Sequence, residues 1–150
     1  MNELNTDRLE EVLASTHSKD FSSYISDNKD SIVDMSNDFY SEYKNILFAK
    51  GITQREVFKL ADISEKTGYK LLSGEKPTKR RDVIIRLAVA AKLDLKDVQR
   101  LIRKYGMPEL YAKFPRDALI MMAVNEGKNI YEINSLLTQN DFEILETLGS

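Results

Sequence analysis

Residues 51–77, GITQREVFKLADISEKTGYKLLSGEKP, constrain the fold of this chain more than any other stretch. Their punctuation suits two short helices joined by a tight turn. Gly51 ends a preceding helix, because Gly takes the left-handed conformation past a helix end without a Cβ penalty. Thr53 then caps a new helix with its hydroxyl, and Glu56, three residues on, completes a capping box. Val57, Phe58 and Leu60 supply the apolar face of that helix. Ala61, Asp62 and Ile63 form the turn, and Asp tolerates a positive φ better than most residues. Ser64 caps a second helix that turns Glu65, Lys66, Thr67 and Lys70 outward. Gly74 closes it and Pro77 prevents its extension.

Two helices of this size, joined by a turn of about three or four residues, make a helix-turn-helix unit, whose second helix enters the DNA major groove. The segment resembles the Cro/lambda-repressor-like (XRE-type) helix-turn-helix family. That family's pattern runs Gly, a hydrophobic residue, Thr-Gln-x-Glu, a hydrophobic residue and Ala; then a turn ending hydrophobic-Ser; then G-x-x-x-P. Gly51, Thr53, Gln54, Glu56, Ile63, Ser64, Gly74 and Pro77 match it in spacing. With its flanking helices the resemblance covers about residues 37–106 and implies a five-helix DNA-binding domain. Three positions depart from the pattern: Phe58 replaces a small Ala, Asp62 replaces a turn Gly, and Gly68 replaces Ile or Val inside the second helix. Phe58 and Gly68 read as an exchange of volume across the contact between the two helices, since packed cores tolerate volume-conserving swaps best. The alternative is a loosened second helix.

The resemblance also implies which residues face DNA. Gln54 would meet a phosphate or a base edge. Ser64 caps a helix whose N-terminus would point at a phosphate. Lys66, Thr67 and Lys70 would reach the groove; Glu65 would accept from cytosine N4 or repel a phosphate. Tyr69 is expected inside rather than on the backbone. The loop GEKPTKRR, residues 74–81, is the densest cationic run in the chain, and Lys76, Lys79 and Arg80 would contact phosphates. Arg81 reads instead as part of a structural Arg-Asp pairing at a helix start.

Charge supports a polyanion partner. The chain's net charge is −2, yet residues 37–106 carry 16 basic and 9 acidic side chains, net +7. Residues 1–36 stand at net −5 and residues 107–150 at net −4. A basic domain between acidic flanks is the footprint of nucleic-acid binding in an otherwise soluble protein.

Along the chain, residues 1–36 read as an acidic, partly mobile arm, and its hydroxyls are candidate modification sites. Thr6 caps a short helix through Leu9, Val12 and Leu13, and Phe21, Tyr24 and Ile25 form a second small cluster; breaks fall at 14–18 and 31–36. A helix over 37–50 buries Phe39, Tyr43, Ile46 and Leu47 as one stripe. Helices over 82–92 and 94–104 place Ile84, Ile85, Leu87, Ala88, Leu95, Val98, Leu101 and Ile102 inward. No stretch alternates as strands do, so the class is all-α. Beyond Gly106 the chain repeats itself. At a shift of 35 residues, Arg81-Asp82 falls on Arg116-Asp117, Ala88-Val89 on Ala123-Val124, and Leu110 on Leu145. Residues 107–150 therefore read as an added copy of the last helix pair, packed on the core. Tyr111 and Phe114 are expected between the two hairpins, and the run Ala118 to Val124 is apolar enough that Met121 or Met122 would serve a partner. Truncation after Gly106 is expected to leave the first domain folded.

These readings favour a sequence-specific transcriptional regulator, a homodimer on double-stranded DNA. The alternative is a protein-interaction module on the same scaffold, its partner bound through the N-terminal arm or the C-terminal hairpin. There is no Gly-rich phosphate loop, HExxH or nucleophile elbow. His17 is the only histidine, so neither an enzyme nor a cofactor or metal site is expected. The chain has no Cys, which fits a reducing cytoplasm. It has no run of about 18 apolar residues for a membrane span, and an acidic start where a signal peptide would be basic.

Overall fold

The computed structural model describes residues 6–27 and 38–147. All regular structure among them is helical. The chain divides into two compact units, residues 1–34 and 35–150. In the first, α1 (Thr6–Ala14) is followed by a 3-10 turn (Ser18–Asp20) and α2 (Phe21–Asp27). Ser15 and Thr16 close α1 by donating their hydroxyls to the Val12 carbonyl, at 3.0 and 2.6 Å. Leu13 and Phe21 are exposed. The expected break at 31–36 lies outside the described residues.

The second unit holds α3 (Asp38–Lys50), α4 (Gln54–Ala61), α5 (Glu65–Leu72), α6 (Arg81–Ala90), α7 (Leu95–Lys104), α8 (Pro115–Asn125) and α9 (Ile130–Gln139). Its centre is α6, in which every residue from Asp82 to Ala90 is buried. A helix apolar on all sides must be covered on all sides, and α4, α7 and α9 pack against it. Each fully buried Leu, Ile or Val there contributes about 1.5–3 kcal/mol. α3 lies on α7, and its Tyr43 hydroxyl donates to the Leu87 carbonyl at 2.7 Å. The expected stripe on α3 is narrower than its spacing suggested: Phe39, Tyr43 and Leu47 are buried, Ile46 only partly.

The 35-residue repeat is kept in the hydrogen bonds. Leu93 N donates to Ala88 O, and Lys128 N to Ala123 O. Gln99 accepts from Leu110 N at 2.8 Å, and its counterpart Asn134 accepts from Leu145 N at 2.9 Å. Left-handed residues recur as well, Lys92 with Gly127 and Gly106 with Asp141. The Arg-Asp pairs are crossed rather than local. Arg81 binds Asp117 at 2.6 Å, and Arg116 binds Asp82 at 2.9 Å. Each Arg also donates to its own repeat's tail, Arg81 to the carbonyls of Pro108 and Glu109, Arg116 to those of Glu143 and Ile144. Each Asp accepts from the other repeat's tail, Asp117 from Tyr111 N and Asp82 from Glu146 N, both at 2.9 Å. Such reciprocity describes two hairpins related by a local twofold, with the clasp at the N-terminal ends of α6 and α8.

This clasp bears on the expectation that the chain could be cut after Gly106. Arg86, on α6 and 1% exposed, donates to Glu146 O, Leu145 O and Ala61 O at 2.9, 2.6 and 3.0 Å. Without the C-terminal segment two of its three carbonyls would vanish, and buried Asp82 would lose Arg116. Tyr111 and Phe114 are not interior wedges either: they are 46% and 59% exposed and touch each other edge to face at 5.0 Å.

Candidate nucleic-acid interface

α4 and α5 are set by their ends. The Thr53 hydroxyl accepts from Glu56 N at 3.1 Å, but only this half of the anticipated capping box forms. The complete box is at Asn129 and Glu132, on α9. Asp62 takes the left-handed conformation (φ 57°) after α4, as its position required. Ser64 Oγ accepts from Thr67 N at 3.3 Å and starts α5. Gly68 is packed against Phe58. A Cβ added there would lie 2.6 Å from ring carbons of Phe58, so the large residue on α4 demands the missing side chain on α5. Tyr69 stands edge-on to the same ring at 5.0 Å but is 46% exposed, half outside where burial was expected. Leu60 is also exposed, at 44%, and Ala61 is buried in its place.

The loop after α5 is held by its backbone and leaves its side chains out. Lys76 N donates to Lys70 O at 3.1 Å, and Arg80 N to Thr78 Oγ1 at 3.1 Å. Tyr105, on the residue after α7, grips buried Thr78 from both sides: its hydroxyl accepts from Thr78 N at 2.7 Å and donates to Thr78 O at 2.9 Å. Burial and the Tyr40 hydroxyl push the Tyr105 phenol up to about 12. The ring of Phe39 meets Tyr105 edge to face at 5.0 Å. α3, α7 and the basic loop are thereby tied together.

Of the residues singled out in the sequence, Ser64, Lys66, Lys76 and Lys79 are exposed, while Gln54, Thr67 and Lys70 are half-buried. Lys66, Lys70, Lys76 and Lys79 form no ion pair among the described residues. Arg80 does not belong with them. Its guanidinium donates to Thr147 O at 2.7 Å and lies 3.4 Å from the Glu146 carboxylate. The acidic C-terminal segment therefore reaches the edge of the basic loop, where opposite charges attract. Glu65 is 3.5 Å from Arg55 of α4. Arg55 and Lys59 are the cations the sequence reading passed over. They line a shallow groove with Glu56, Ile63 and Glu65, and their i, i+4 spacing on α4 was the available signal. Much of the remaining basic excess is spent internally: Arg100 and Lys104 both bind Glu42, at 3.0 and 2.9 Å, and Arg103 binds Glu109 at 3.1 Å.

No group of three or more His, Cys, Asp or Glu among the described residues could hold a metal ion. No described helix is long and apolar enough to cross a membrane. No protein-family model, curated protein or solved structure matches the chain.

Proposed function

We propose that this protein is a DNA-binding transcriptional regulator of the Cro/lambda-repressor-like kind, and that α4 and α5 form its helix-turn-helix. The observation that supports this reading best is the pairing of a Ser64-capped α5 with exposed Lys66 and, beyond its end, a loop whose backbone is pinned at Lys76, Thr78 and Arg80. A rigid loop presenting Lys76 and Lys79 positions phosphates, and a capped helix N-terminus favours an anion beside it. Lys66, Thr67 and Lys70 carry the base readout, with Gln54 at the start of α4. Arg80 is left out of the set. Two copies acting on a two-fold site follow from the family likeness, and exposed Phe114 and Met122 of the C-terminal hairpin offer apolar surface for that contact. The same surface supports the second reading, an interaction module whose partner is another protein.

Selection from a random duplex pool separates the two readings. The full chain is expected to enrich one consensus, with each good base contact contributing about 1–3 kcal/mol of discrimination. K66A/T67A/K70A is expected to lose that consensus while keeping most of its affinity for unselected duplex. Enrichment of nothing by the parent chain would favour the interaction module, and the same consensus from both proteins would remove α5 as the reader.

A further inference from the structure

At the end of the hairpin pair opposite the Arg-Asp clasp is a pocket of about 270 Å³. Part of its wall is made of repeat equivalents, 35 residues apart: Val89 lines it with Val124, Lys92 with Gly127, and Leu93 with Lys128. The local twofold thus runs from the clasp at one end to this pocket at the other. The repeat explains why a hollow forms here. α6 and α8 both end in left-handed turns, at Lys92 (φ 60°) and Gly127 (φ 72°), and these turns carry the chain away from the axis before α7 and α9 begin. The floor is apolar and buried, with Val89, Leu93, Val124 and Ile130 each under 10% exposed. One rim is Leu60 of α4, exposed although apolar.

We propose that this pocket binds a small amphipathic anion, a carboxylate with an apolar tail. Size sets the tail: 270 Å³ holds on the order of nine non-hydrogen atoms at about 30 Å³ each. The floor selects an apolar body. The rim selects the head's charge. Lys92 and Lys128 both line the pocket and form no ion pair among the described residues. The first turn of α9 opens at the same edge with the positive end of its dipole. The Glu132 carboxylate closes the capping box on that turn, accepting from Asn129 N at 3.0 Å, and offsets part of the dipole, so the head's charge is selected chiefly by the two lysines. The site does not depend on the DNA-binding reading, because neither the clasp, the pocket nor its lysines take part in it.

Calorimetric titration of the full chain with octanoate, and separately with 1-octanol, tests the assignment. Octanoate is expected to bind saturably, one per chain. 1-Octanol is expected to bind at least about fivefold more weakly, the fold-change of two partly exposed charge contacts. K92Q/K128Q is expected to erase that preference with an unchanged thermal melt. L60W, a change at an exposed rim position, is expected to weaken octanoate binding by filling the mouth. Absence of saturable octanoate binding overturns the proposal. Equal affinity for alcohol and carboxylate overturns the anion assignment, and wild-type octanoate affinity in a folded L60W protein places the site elsewhere. A duplex-binding assay on the same variants reads the DNA proposal separately.

Discussion

Single residues in this chain hold distant segments in register through buried polar groups. Tyr105 fixes the basic loop through both backbone groups of Thr78, and Tyr43 anchors α3 to Leu87 O. Both phenols are raised above the ordinary 10, Tyr105 to about 12 and Tyr43 further, because burial disfavours the phenolate. For an acid whose folded pKa is raised, the folded state is favoured while the group stays protonated. Stability from both groups is therefore full below pH 10 and is lost as pH rises towards 12 and beyond. Chemical denaturation between pH 8 and 11.5 is expected to show a flat region and then a fall. Y105F is expected to be less stable at pH 8, since Thr78 loses its partner, and to fall less steeply above pH 10. Equal slopes for the two proteins would detach Tyr105 from the loop.

At the scale of elements, the contact between α4 and α5 depends on one exchange of volume. A mid-helix Gly costs about 1 kcal/mol relative to Ala, so G68A would stabilise an isolated α5. Here the added methyl meets Phe58 at 2.6 Å, and overpacking of this kind costs about 1–3 kcal/mol. G68A is expected to destabilise the parent chain but to be neutral or stabilising in an F58A background. Urea denaturation of the four proteins gives the coupling, and additivity within about 0.5 kcal/mol would contradict the exchange. This pair was legible from the sequence because both residues broke one local pattern in opposite directions. The caps at Thr53 and Ser64 and the left-handed Asp62 were legible for the same reason, as each is settled within a few residues. What the sequence did not show depends on contacts far along the chain. Nothing near Arg80 announces that Glu146 and Thr147 will take its guanidinium. The crossing of Arg81 to Asp117 and of Arg116 to Asp82 needs the two hairpins placed side by side. Leu60 reads as core from its spacing but lies at the edge of a pocket that no local pattern marks.

For the second unit as a whole, the added hairpin is structural. Deleting residues 107–150 would take two of three carbonyls from Arg86 and both Arg116 and Glu146 N from Asp82, and would open to water the side of α6 that α9 covers. Breaking a buried ion pair by removing one partner typically costs about 3–5 kcal/mol. Such a loss is comparable with the total stability of a small domain. The fragment 1–106 is expected to show no cooperative thermal transition by circular dichroism, and a cooperative melt close to that of the full chain would show that the first five helices of the unit do not need the second repeat. The surface proposed for a polyanion is then narrow: Lys66 and Lys70 on α5 and the pinned loop with Lys76 and Lys79. Fluorescence anisotropy of a labelled duplex, titrated at several salt concentrations with the parent chain, K66A/K76A/K79A and R80A, tests that surface most directly. The expected result is parental binding that weakens steeply with salt, a triple variant whose slope is shallower by about 0.9 for each phosphate contact removed, and an R80A slope equal to the parent's. Binding of the triple variant with parental affinity and slope, or no binding of the parent at low salt, would contradict it.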